Sequence, residues 1–230
     1  MIKRVLVGCL AAFAFSAEAV DIPFVNPQFD VTAIAVGDGP AGVDSQSGPP
    51  SALPVVASAA SVGTVSVATA GAIGAPGFLT TSADVSGDGG ITNSVGTSHF
   101  AGSFSTSAAE PILSIEFMAS TFAAGTGIAS TSLFLSLTSG GVVLFNDFVS
   151  GPSIFTYLLT PGATNLLDLT LSSDASAGFP SEGIGNGSSF GQVAFASAVP
   201  LPAPWLLLLV GLGPIAAMKR RVSKAFRPAA

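Results

Sequence analysis

The chain has 230 residues, with seven Lys or Arg, thirteen Asp or Glu, one cysteine and a formal net charge of −6. All seven basic residues (Lys3, Arg4, Lys219, Arg220, Arg221, Lys224 and Arg227) lie near an apolar segment at one end or the other, and the twelve carboxylates of residues 20–199 are accompanied by no cation but His99. A stretch that negative repels nucleic acid and anionic lipid and cannot build internal Lys or Arg salt bridges, and Cys9 alone allows no intrachain disulfide.

The opening MIKRVLVGCLAAFAFSAEAV has the three parts of a secretory signal peptide. Lys3 and Arg4 form the positive region, residues 5–15 the apolar region, and Ala17-Glu18-Ala19 a small-x-small cleavage site. Cleavage after Ala19 leaves Val20 as the new N-terminus. Leu6-Val7-Gly8-Cys9 also spells the short pattern at which bacterial lipoproteins are cut, but too few apolar residues precede the cysteine and six more follow it. Cys9 is therefore read as part of the apolar region.

Residues 21–62 are dense in Gly and Pro, as in GDGPAGVDSQSGPPSALP, which predicts a loop crossing the surface, with residues 21–60 loop-rich. Residues 61–107 read as lean strands of Ala, Ser, Thr and Gly, expected on an outer sheet or at sheet edges. Within them DVSGDGGI places Asp84, Ser86 and Asp88 at positions 1, 3 and 5 of an EF-hand-like loop, with the Gly90 carbonyl at 7. Hard oxygens at alternate positions suit Ca²⁺, the one candidate cofactor, although Val95 stands where the bidentate carboxylate belongs. An ordinary Asp/Gly turn between strands is the competing reading. In TSHFAGSF, Phe100, Gly102 and Phe104 share a face and His99 points to the other, the pattern of a half-buried strand.

Period-two alternation governs the rest of the body. Leu113, Ile115 and Phe117 align, as do Leu133, Leu135 and Leu137, then Leu167, Leu169 and Leu171, then Gly191, Val193 and Phe195. Gly-rich and Pro-Gly turns separate them, and residues 132–148 read as a hairpin across Ser139-Gly140-Gly141. The expectation is one all-β domain, an antiparallel β-sandwich of the jelly-roll kind, over residues 20–198. No second histidine accompanies the serines, and Glu110, Glu116 and Glu182 lack any catalytic context. No enzymatic activity is expected.

The final segment, residues 199–230, is of another kind. Residues 205–218 form an uncharged run of fourteen residues, about 21 Å as a helix against the ~30 Å hydrocarbon core. Extension back to Val199 gives twenty residues, with three prolines among the first six. Trp205 suits the outer interface, and Lys219, Arg220 and Arg221 snorkel to the inner one, which makes residues 204–218 a transmembrane helix with a cytoplasmic C-terminus. Val199-Pro200-Leu201-Pro202-Ala203, then an apolar run, then a basic cluster, resembles the PEP-CTERM class of bacterial sorting signals in its VPLPA form, with Leu201 where the type motif has Glu. Pro200 and Pro202 fix an extended approach to the membrane. The resemblance implies recognition of the motif by an exosortase-like membrane protease. It also implies transit through the inner membrane of a Gram-negative bacterium as a single span, then a place at the cell surface or outside. Association with extracellular polysaccharide follows from it too, as a matrix component. A Ca²⁺-assisted glycan-binding adhesin is the alternative, which the shortage of Trp and Tyr disfavours because Tyr157 is the body's only one. A secreted hydrolase comes third.

Overall fold

A computed structural model describes residues 19–20, 22–49, 54–88, 91–107, 112–178 and 184–198. Ala17 of the expected cleavage site, Gly90, Val199 to Ala203 of the sorting motif, the apolar run 204–218 and the stop Lys219, Arg220 and Arg221 lie outside the described residues. Among the described residues no helix is long and apolar enough to cross a membrane.

Side chains alternate between faces along an extended chain, so each apolar alternation found in the sequence becomes one inward row. Thirteen strands result: β1 (Ala19–Val20), β2 (Val25–Val36), β3 (Gly42–Gly48), β4 (Val55–Val62), β5 (Ser66–Ala75), β6 (Phe78–Asp88), β7 (Thr92–Ser105), β8 (Ile112–Gly125), β9 (Ile128–Ser139), β10 (Val142–Ser150), β11 (Ser153–Leu158), β12 (Thr164–Ala177) and β13 (Ile184–Ala198). Every pairing is antiparallel. The first sheet runs β11-β8-β13-β6-β5-β4, with β1 added to the end of β13, and the second runs β10-β9-β12-β7-β2-β3. Residues 19–198 form one compact unit of two sheets packed face to face, an all-β sandwich.

The connectivity is nested. Strands β9 and β10 pair in the second sheet, β8 and β11 in the first, β7 and β12 in the second, and β6 and β13 in the first. The expected hairpin across Ser139 is β9–β10, paired from Val142 opposite Ser139 to Ser150 opposite Ser132. Its turn puts Gly140 and Gly141 at φ of 57° and 81°, a two-glycine geometry whose twist matches the flanking strands. At the other end of these strands' neighbours, Ala19 pairs with Ala198, so the body's first and last strands lie side by side.

Leu113, Ile115, Phe117, Leu133, Leu135, Leu137, Leu167, Leu169, Leu171, Val193 and Phe195 all fall in one buried cluster with Phe29, Leu79, Phe100 and Phe104. Burying each such side chain stabilises the fold by roughly 1.5–3 kcal/mol. Phe100 is central: Phe24, Phe195 and Phe29 ring it at centroid distances of 4.8, 4.9 and 5.0 Å. A second cluster is built mainly of alanine, including Ala33, Ala35, Ala57, Ala68, Ala70, Ala72, Ala83 and Ala175.

Two expectations need correction. Residues 21–62 do not form a loop crossing the surface; they supply β2, β3 and β4. The polar run Asp44-Ser45-Gln46-Ser47 is tolerated in β3 because that strand is an edge, ladder-paired to β2 alone among the described residues and exposed along most of its length, with Asp44 accepting from Ser58 N of β4 at 3.0 Å. The glycines there serve close approach. A Cβ on Gly39 would lie 2.3 Å from the Val62 carbonyl oxygen, and one on Gly63 would lie 1.8 Å from Asp38 Oδ1. Asp38 fastens the contact, accepting from Thr64 N (2.8 Å), Thr64 Oγ1 (2.9 Å), Val65 N (3.2 Å) and the Ser66 hydroxyl. The Ser66 hydroxyl above all, with Thr64 and Val65, holds its carboxyl well below the usual carboxylate range. The lean strands are likewise not confined to edges: β4 is one, but β6 lies between β5 and β13, and β7 between β2 and β12. The small side chains of β4, β5 and β6 pack against one another in the alanine cluster, and that makes them core.

Candidate functional site

Parity along each strand decides which side chains reach the surface. With Ile115 and Phe117 inward on β8, Met118, Ser120 and Phe122 point outward from the first sheet. Register then sets Phe122 opposite Ser188 on β13, Ser188 opposite Asp84 on β6, and Asp84 opposite Thr69 on β5. Beside this row lie Asn186 and Ser86, which face each other, and on its other side Phe190, opposite Ser82. Strand β11 ends at Ser153, opposite Phe117, so among the described residues no outer strand pairs with β8 at Phe122. Phe122 is 63% exposed and Phe190 41%.

Thr69, Asp84, Ser86, Phe122, Asn186 and Ser188 line a shallow depression of about 210 Å³. Ser188 Oγ donates to Asp84 Oδ1 at 2.6 Å, which orients the carboxylate within the row. The depression thus offers an aromatic face, hydroxyls, one side-chain amide and a carboxylate on a rigid sheet. A larger recess of about 310 Å³ beside the β8–β9 turn, lined by Asn93, Thr126, Ile128 and Ser176 among others, contains no titratable group among the described residues.

Two of the four Ca²⁺ ligands expected from the sequence belong to this face, but not as a loop. Asp84 and Ser86 lie in β6, and the backbone of Asp88 closes that strand opposite Ile184. Same-face residues on an extended strand sit roughly 6.5–7 Å apart, whereas an EF-hand-like loop curls its alternate oxygens around one ion. The register makes Asp84 and Ser86 rungs of a ladder with Ser188 and Asn186. Among the described residues no three His, Cys, Asp or Glu side chains converge as a metal site would require.

His99 occupies the outer face of the second sheet and is not simply exposed. Its Nδ1 lies 3.3 Å from Asp30 Oδ2 on β2, and its Nε2 lies 3.2 Å from Asp168 Oδ1 on β12. The hydrogen bond with Asp168 leads in raising the imidazole pKa, helped by Asp30, against partial desolvation. With a carboxylate at each ring nitrogen, the ring serves as a bridge across three strands, and neither nitrogen is directed at a hydroxyl nucleophile. Glu116 lies on β8 opposite Ile154 and Ala194, apart from both arrangements.

Phe122, Phe190, Asn186 and Ser188 escaped the sequence reading, which sought stacking surfaces only in Trp and Tyr. One signal was present: on a strand whose odd positions are apolar and inward, Phe122 at an even position must face out.

No protein-family model matches the chain, and no curated protein matches it. A solved structure of a GH31 alpha-xylosidase from Xanthomonas citri is similar to it at 8% identity, over 77% of this chain and 18% of that one, with a TM-score of 0.19. A likeness so slight bears on neither fold nor activity.

Proposed function

We propose that this is an exported, non-enzymatic protein with a jelly-roll-type body that reaches the cell surface or the surrounding matrix through its C-terminal tail. One observation carries the reading: all seven cations sit beside the two terminal apolar segments, and none lies in the body between them. Basic residues stay on the cytoplasmic side of a membrane, so this distribution corresponds to two cytoplasmic ends and an external body. The nested strand pairing supports the jelly-roll type, since paired ribbons wound into two sheets are its defining connectivity. Processing by an exosortase-like protease at Val199-Pro200-Leu201-Pro202-Ala203 rests on the resemblance of the tail. A body lacking a second histidine and a mature cysteine, with its one imidazole held by two carboxylates, supports a binding or structural role over catalysis.

Intact-mass analysis of cell, membrane and medium fractions tests this. The expected mature form begins at Val20 and has lost residues 204–230. A chain that keeps those residues in every fraction, in cells that process other proteins with such tails, would sink the sorting reading. The adhesin alternative is favoured by one separate feature, the aromatic and polar row on the first sheet.

A further inference from the structure

Resting on the reading of an external body, we infer that the depression around Phe122 and Asp84 binds a glycan carrying free amino groups, of the glucosamine type. The row is ordered by chemistry. Phe122 stands at its open edge, Ser188 in the middle, and Asp84 and Thr69 beyond, each one strand further across the sheet. Two strand spacings, about 10 Å, separate Phe122 from Asp84. Two linked pyranose rings span that distance, one with its C–H face on the Phe122 ring and the next with its polar edge over Asp84. Ser86, Asn186 and Thr69 surround the second position with donors and acceptors for sugar hydroxyls.

Charge decides among glycans. Asp84 is a carboxylate on an exposed face of a body with no Lys or Arg, and among the described residues its side chain accepts one hydrogen bond, from the Ser188 hydroxyl. The twelve carboxylates of residues 20–199 repel polyuronates and sulfated chains. A neutral sugar would satisfy the Phe122 ring and could donate hydroxyls to Asp84, but it brings no counter-charge for the carboxylate. An ammonium on the ring supplies the missing counter-charge, and the negative body raises its local concentration. An ammonium beside the face of Phe122 gains cation–π attraction as well.

The test is titration of the full chain, in a non-glycosidic detergent, with a β-1,4-linked glucosamine tetramer and with its fully N-acetylated counterpart. The glucosamine tetramer should bind at least about tenfold more tightly, because acetylation removes the charge that Asp84 reads. Asp84→Asn should erase that preference, and Phe122→Ser should weaken both ligands by about fivefold. Asp147→Asn, the same charge change on a different sheet, should leave both affinities unchanged. Equal binding of the two tetramers overturns the proposal. So does a preference that survives Asp84→Asn or falls equally in Asp147→Asn, since that is general attraction to a negative body. Binding that appears only with added Ca²⁺ overturns it too, in favour of a metal bridge. Thermal melting of each variant confirms that the sheet is intact. Loss of binding with tail release preserved removes only this site; retention of residues 204–230 with binding preserved removes only the sorting reading.

Discussion

The two halves of the core solve the same packing problem with opposite materials. Around Phe100 and Leu169 the sheets are held apart by Phe, Leu and Ile side chains that interlock as one apolar layer. Beneath β2, β4, β5 and β6 the layer is alanine, with Val31 and Val85 the largest members of the cluster. There the sheets come together so closely that a Cβ on Gly96 would lie 2.4 Å from the Gly71 carbonyl oxygen and 2.7 Å from that of Ser82. Such proximity lets hydroxyls cross between sheets. Ser94 donates to the Thr69 carbonyl, Ser98 Oγ to the Ile73 carbonyl at 3.0 Å, and Thr81 Oγ1 shares a 2.7 Å hydrogen bond with Ser173 Oγ. A paired carbonyl keeps a second lone pair, so the seam forms without breaking the ladders. Alanine buries little apolar area, and directional bonds make up part of the difference.

This contrast is open to mutation, and the largest effect belongs to the leucine side. Leu169→Ala, at a fully buried position, should destabilise the protein by about 3–4 kcal/mol through lost transfer energy and a cavity, read as a fall in denaturation midpoint. On the alanine side, adding matter is what harms. Gly96→Ala should cost about 2–3 kcal/mol, because the new methyl meets backbone from the opposite sheet and neither sheet yields locally. If Gly96→Ala proves neutral, the close approach of the sheets is wrong.

The seam itself predicts a smaller, non-additive effect. Ser173→Ala should cost about 1–2 kcal/mol by stranding the buried Thr81 hydroxyl, and adding Thr81→Val should recover most of it. Simple additivity in the double mutant would mean that the two hydroxyls are not coupled.

The smallest effect concerns the outer face. The folded-state pKa of His99 is raised above its ordinary value near 6.5, so the stability it contributes is fully present below that value. It is lost as pH rises through the higher folded-state pKa. Because His99, Asp30 and Asp168 are all partly exposed, the melting temperature should fall by only about 1–3 °C across that window. His99→Gln should flatten the dependence.

What could be read in advance was local. Period-two alternation in ILSIEFM and NLLDLTL follows from the pleat of a single strand, and it assigned Leu113, Ile115, Leu167 and Leu169 to the interior without knowledge of any neighbour. The two glycines after Ser139 announced a hairpin because a tight turn needs positive φ there. The same local logic was incomplete in GDGPAG, where residues 37–41 do form the loop between β2 and β3 but are held by distant contacts. Gly39 and Gly63 are in fact required by backbone and carboxylate arriving from strands far along the chain. In DVSGD the spacing resembled a loop, whereas pairing with β13 makes residues 84–88 a strand. The candidate site lay beyond reach for the same reason. Ser188 donates to Asp84 across 104 residues, and Phe122 joins them only because β8 and β6 flank the same strand. Alternation along a strand is a property of its own backbone, whereas the neighbour each strand acquires depends on how all thirteen share two sheets. The sequence by itself determined a β-built body with terminal cations and a known set of inward side chains; the tertiary structure alone decided which outward side chains stand together.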